Sequence, residues 1–153
     1  MIPKFKAFLK DTNQVLDVEI IFFELCIVKL TNDEFYQFED IILMQSTGLH
    51  DNTKFEDLSE EEQEEWLESG KTPDEWQGRE IFEGDIVNIN TTFRNPMTGS
   101  GTLTLNKNFE VIFVNGMFTI EGSSMGIGKD LKYLTVVGDV YKNHELLEDV
   151  WNS

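Results

Sequence analysis

The chain has 153 residues, with 29 acidic against 12 basic side chains and a formal charge of −17. That surplus disfavours a broad interface with nucleic-acid phosphates or anionic membranes, and Arg79 and Arg94 are the only arginines to grip either. No apolar run approaches the roughly 20 residues that span a bilayer, and the opening lacks a signal-peptide pattern, so an intracellular, cytoplasmic protein is expected.

At this size a chain buries roughly 70% of its extended surface, enough for one core or one small domain with an appendage. Lys4 to Leu9 and Val15 to Leu30 are rich in β-branched and aromatic residues around a polar Asp11-Thr12-Asn13 turn, which predicts an N-terminal hairpin feeding a longer strand pair. Cys26 is the only cysteine and lies between Leu25 and Ile27, so a buried core thiol is expected. After Thr31-Asn32-Asp33, the residues Phe35, Phe38, Ile41 and Ile42 fit one helix face or another strand equally well.

Glu56 to Glu68 holds eight acidic residues and no basic one. Ser59 and Glu62 have capping-box spacing, and Thr72-Pro73-Asp74-Glu75 is a second helix-start signal. Residues 57 to 77 are therefore expected to form one or two short, exposed helices, marginal in isolation because like charges repel at helical spacing.

From Glu80 onward the period becomes that of strands. Residues 86–89, 101–105, 109–114, 117–120 and 133–137 are five candidates, with Asn95 to Gly99 a turn and Asn115-Gly116 a type I′ hairpin signal. Short antiparallel strands with little helix between them predict a strongly bent barrel from about residue 80 to 140. Residues 143 to 150 would add a short helix plugging one end with Leu146, Leu147 and Val150. The expected class is mainly β: a small SH3-like antiparallel barrel (79–153), preceded by N-terminal β elements (1–53) and a short acidic helical insertion (54–78).

Catalytic machinery is not evident. Gly122 to Lys129 superficially resembles a phosphate-cradling loop, but its spacing departs from the Walker pattern and no Ser or Thr follows the lysine. His50, Asp51 and Asp57 are too few for a zinc site, and Asp51-Asn52-Thr53 fits a backbone cap or turn better than a calcium loop. No cofactor, metal or catalytic residue is assigned. Glu83 and Asp85, alternating around Gly84, are expected to face one side and bond the turn amides at a polar barrel rim. The candidate partner-contact residues are Glu60, Glu61, Glu64, Glu65, Trp66, Trp76, Glu83 and Asp85: charge alone lacks a desolvated anchor, which an aromatic at an acidic edge supplies. The two tryptophans could equally fasten the helices to the body.

Four blocks in order carry a family resemblance: Ile2-Pro3-Lys4-Phe5-Lys6-Ala7-Phe8, Leu43-Met44-Gln45-Ser46-Thr47-Gly48-Leu49-His50-Asp51, Glu80-Ile81-Phe82-Glu83-Gly84-Asp85-Ile86-Val87, and Gly138-Asp139-Val140-Tyr141-Lys142-Asn143-His144-Glu145-Leu146-Leu147. The chain resembles the YopX family of bacteriophages and prophages of Gram-positive bacteria. It departs from that family in having Ser46 where an aromatic is usual, His144 where proline is common, and residues 54 to 77 where a brief polar turn is usual. The resemblance implies an SH3-like β-barrel with extra N-terminal elements and brings no active site. A non-enzymatic phage or prophage protein, serving as a protein-interaction module in the bacterial cytoplasm, is the leading expectation, with homo-oligomerisation left open. The alternatives are a carboxylate-based hydrolase and an acidic regulator of a basic nucleic-acid-binding protein.

Overall fold

The computed structural model describes residues 4–95, 97–122, 127–129 and 131–147. Its first hairpin pairs β1 (Phe5–Leu9) with β2 (Gln14–Phe22) through a turn in which Asn13 takes φ 58° and donates its N–H to the Leu9 carbonyl. β3 (Ile27–Leu30) follows a second turn, at whose tip Cys26 adopts φ 56° and lies exposed. The cysteine is thus not a core thiol: a hairpin end needs a left-handed residue there, and Phe23 and Leu25 project outward beside it. Residues 35–42 form no α-helix. β4 (Phe35–Gln37) pairs with β3, one 3-10 turn intervenes, and β5 (Ile41–His50) runs back along β1.

The first helix-start signal of the insertion folds as expected, whereas the second gives only a 3-10 turn with no side-chain cap from Thr72. Helix α1 (Glu60–Glu68) starts at Ser59 with both halves of the capping box formed, and 3-10 turns occupy Phe55–Asp57 and Pro73–Glu75. β6 (Glu80–Phe82) then pairs with β5, completing a six-stranded antiparallel sheet of order β4-β3-β2-β1-β5-β6.

The second sheet has the order β10-β7-β8-β9, from β7 (Asp85–Arg94), β8 (Thr102–Val114), β9 (Met117–Ile120) and β10 (Leu134–Asp139). The two candidates at 101–105 and 109–114 are parts of one strand, β8, which pairs with β7 from Ile86↔Glu110 to Arg94↔Thr102. Asn115 and Gly116 both have positive φ, as a type I′ hairpin requires.

The protein is mainly β, but among the described residues the expected closed barrel does not form: β9 and β10 end an open sheet. The outer edge of β10 is met instead by the chain leaving β5. There Asn52 donates its N–H to the Leu134 carbonyl, and the Val136 N–H donates to the Asp51 carboxylate. Two cores follow. Ala7, Leu9, Val28, Leu30 and Ile41 fill the curl of the first sheet, while Ile81, Val87, Ile89, Val111, Ile127 and Leu134 fill the second. At the C-terminal end a 3-10 turn spans His144–Leu147, and Asn108 donates to the Leu146 carbonyl; with no closed barrel, there is no end for it to plug. Val150 and residues 123–126 of the glycine-rich loop lie outside the described residues.

Candidate functional site

An open cleft of about 1260 Å³ lies where the two sheets meet. In β1 the alternation sends Ala7 and Leu9 into the first core and Lys6 and Phe8 to the opposite face. Lys6 lies across from Asp17 of β2 and Met44 of β5, so all three reach the cleft together. Apolar Phe5, Val15, Val18, Ile21, Met44 and Phe82 also line it. The charged lining residues are Lys4, Lys6, Arg79 and Lys142 against Asp17, Glu19, Glu62, Glu80, Asp85 and Asp139. Three cations are paired across it: Lys4 with Glu80 at 3.4 Å, Arg79 with Glu62 at 3.1 Å and Lys142 with Asp139 at 3.6 Å. Lys6 instead sits 4.4 Å from the centre of the Phe82 ring. Ser46 donates its hydroxyl to Glu80, fixing that carboxylate from below.

Three buried aspartates lie around the junction. Asp51 accepts from the Arg79 and Thr53 N–H groups on Oδ1, and from the Val136 N–H and the Thr53 hydroxyl on Oδ2, at 2.7 to 2.9 Å. This matches the expected cap or turn, with a wider reach, because one carboxylate ties the end of β5 to both β10 and the approach to β6. Asp139 accepts from the Tyr141 and Lys142 N–H groups, holding the turn after β10. Asp85 accepts the Phe82 N–H at 2.8 Å and so closes the β6–β7 turn around Gly84. Burial pushes the Asp85 carboxyl up to about 7; the Phe82 hydrogen bond and Lys6 oppose that rise, and Asp139 and Asp51 add to it.

Glu83 and Asp85 part company. Glu83 sits in the turn, where its charge helps raise Tyr141 and Glu110 after the larger effect of their burial; Asp85 faces the cleft side. Gly84 admits Tyr141 closely, since a Cβ there would lie 3.0 Å from the tyrosine ring, which in turn stacks on Phe8 at 5.1 Å.

Glu60, Glu61, Glu64 and Glu65 are exposed along α1, whereas Glu62 turns inward to Arg79. The tryptophans fasten the insertion. Trp66 meets Trp76 edge-on at 5.0 Å and donates to the Thr72 carbonyl; Trp76 packs on Phe55 and donates to the Thr53 carbonyl. Trp76, Arg79 and Glu62 also line the cleft, so the base of the insertion forms one of its walls. Of the acidic residues of α1 only Glu62 lines the cleft; Glu60, Glu61, Glu64 and Glu65 stand on the exposed surface of the helix, and Glu83 lies outside the cleft lining.

Lys6, Asp139 and Lys142 were not assigned from sequence. One signal was available: Gly84-Asp85 and Gly138-Asp139 repeat the same dipeptide at strand boundaries, and their aspartates end up opposite one another. Chemically, the cleft offers an apolar floor with paired charges above it. Asp51, Asp85 and Asp139 each accept from backbone N–H groups.

No family model and no curated protein matches the chain. Among solved structures it is similar to protein EF1440 from Enterococcus faecalis, at 20% identity and a TM-score of 0.57, over 96% of this chain and 99% of that one. The likeness extends to the fold of nearly the whole chain.

Proposed function

We propose that the protein is a non-enzymatic interaction module of a phage or prophage that takes a segment of a protein partner into the cleft between its sheets. The carrying observation is the cleft itself: open, apolar-floored, and walled on one side by the base of the acidic insertion. A partner segment with apolar side chains for the floor and basic ones for Glu60, Glu61, Glu64 and Glu65 fits both features. The phage or prophage setting rests on the YopX resemblance. A partner that normally grips nucleic acid would carry such a basic segment, which makes the acidic-regulator reading a special case of this one.

The test immobilises the intact protein and compares capture from a phage-infected host extract with two variants. One carries Phe23→Ser and Val137→Ser, both exposed and both lining the cleft. The other carries Gln at Glu60, Glu61, Glu64 and Glu65, leaving the cap and tryptophans intact. A protein crosslinked to cleft residues, lost with the first variant and less salt-sensitive with the second, is the expected result. Capture indifferent to both variants overturns the proposal. A carboxylate-based hydrolase draws on one observation, Asp85 opposite Asp139 in the cleft. Its test is turnover of ester, phosphoester and glycoside substrates that disappears in Asp85→Asn.

A further inference from the structure

Asp85 opens β7 and Asp139 closes β10, and the two are register partners on adjacent antiparallel strands. Both are more than nine-tenths buried, at 8% and 6% exposure. Residues so placed point to the same face with Cβ atoms about 5 Å apart, where two like charges destabilise the pair. Counter-charge is shared unequally between them. Among the described residues, Asp139 has two backbone N–H donors and the Lys142 ammonium at 3.6 Å, whereas Asp85 has the single Phe82 N–H.

The remaining groups around Asp85 offset this only in part. From β1, Lys6 lies over the Phe82 ring and its charge favours the carboxylate, though less than burial opposes it. From the end of β5, Asp51 is a further negative group, already saturated by four donors. Along β6 and its approach, Glu80 is matched by Lys4 and Arg79 by Glu62. The geometry leaves Asp139 as the member of the pair better suited to the charge and Asp85 as the one suited to a proton.

We propose that Asp85 is a proton switch in the seam between the two sheets: protonated, it is neutral opposite Asp139, and its ionisation loosens the β6–β7 turn against β10 while adding a negative charge to the cleft. The device belongs to the free protein and stands whether or not the cleft binds a partner.

The upward displacement of Asp85 to about 7 by burial agrees with this arrangement. An aspartate in the unfolded chain loses its proton near 3.8, so the folded form holds the proton over the interval between the two. Stability therefore falls as pH rises across that interval and levels off above it.

The experiment follows the side-chain carboxyl carbon of Asp85 by NMR in the intact protein, together with urea unfolding from about pH 5 to 8.5 at fixed ionic strength. The wild type, Asp85→Asn and Asp139→Asn are compared. Expected are an Asp85 midpoint close to neutrality, a downward shift of about one unit in Asp139→Asn, and a fall in the wild-type urea midpoint with pH that Asp85→Asn largely abolishes. Asn keeps an acceptor for the Phe82 N–H, so that variant retains the turn. An Asp85 carboxyl already ionised at pH 5 in the wild type overturns the proposal, and so does an unchanged pH slope in a folded Asp85→Asn protein.

Discussion

Asp51 concentrates more of the junction than any other side chain described, since its two oxygens hold donors from three separate segments. Replacing it with alanine strands the half-buried Val136 and Arg79 N–H groups, and Asp51→Ala is expected to lower stability by about 2 to 4 kcal/mol in urea unfolding. Gly78 is its steric counterpart. At φ +110°, an added Cβ would lie 2.0 Å from the Asp51 carbonyl oxygen, whereas Gly70, at φ +87°, faces open space. Gly78→Ala is therefore expected to cost at least about 3 kcal/mol and Gly70→Ala only about 1 kcal/mol, compared by thermal melting. The sequence marked Asp51 as a cap or turn residue because Asn52 and Thr53 follow it. It could not mark Val136, because that partner lies 85 positions away and is delivered by the second sheet.

At the scale of elements, what was legible was whatever local chemistry closes by itself. The capping box needs only Ser59 and Glu62, and the β8–β9 hairpin needs only Asn115 and Gly116 at positive φ; both are present. Helix α1 buries no residue and is attached by a few side chains: Glu62 to Arg79, Gln63 to the Phe55 and Leu58 carbonyls, and Trp66 to Trp76. Ser59→Ala is thus expected to raise amide exchange across residues 60–68, as a local loss of about 1 kcal/mol, with little change in the global unfolding midpoint. Residues 35–42 were ambiguous for a physical reason. Phe35, Phe38, Ile41 and Ile42 fit a helical face by spacing; pairing with β3 makes Phe35 strand, pairing with β1 makes Ile41 and Ile42 strand, and Phe38 lies in the 3-10 turn between them. Cys26 misled because apolar neighbours ordinarily signal burial, whereas here they crowd the end of a hairpin.

Across the whole molecule the charge of −17 works against compaction. Each ion pair described has at least one exposed partner, so salt weakens little that is stabilising while it screens the general repulsion. Raising NaCl from about 0.05 to 0.5 M is expected to raise the melting temperature by a few degrees. The increment should shrink in the variant with Gln at Glu60, Glu61, Glu64 and Glu65, since four of the clustered charges are gone. A melting temperature that falls with salt would show that attractive pairs outweigh the repulsion.

The sequence alone determined the mainly β character, the acidic helix with its cap, the type I′ hairpin and the polar turn at Asp51, because each follows from backbone preference or from bonds between near neighbours. Only the tertiary structure decided that the C-terminal sheet stays open, that Trp66 and Trp76 clamp the insertion, and that Asp85 stands across from Asp139 at a cleft. Strand closure and carboxylate pairing depend on which distant edges meet. Here the chain leaving β5 occupies the β10 edge, a choice set by hydrogen bonds between residues some 80 positions apart.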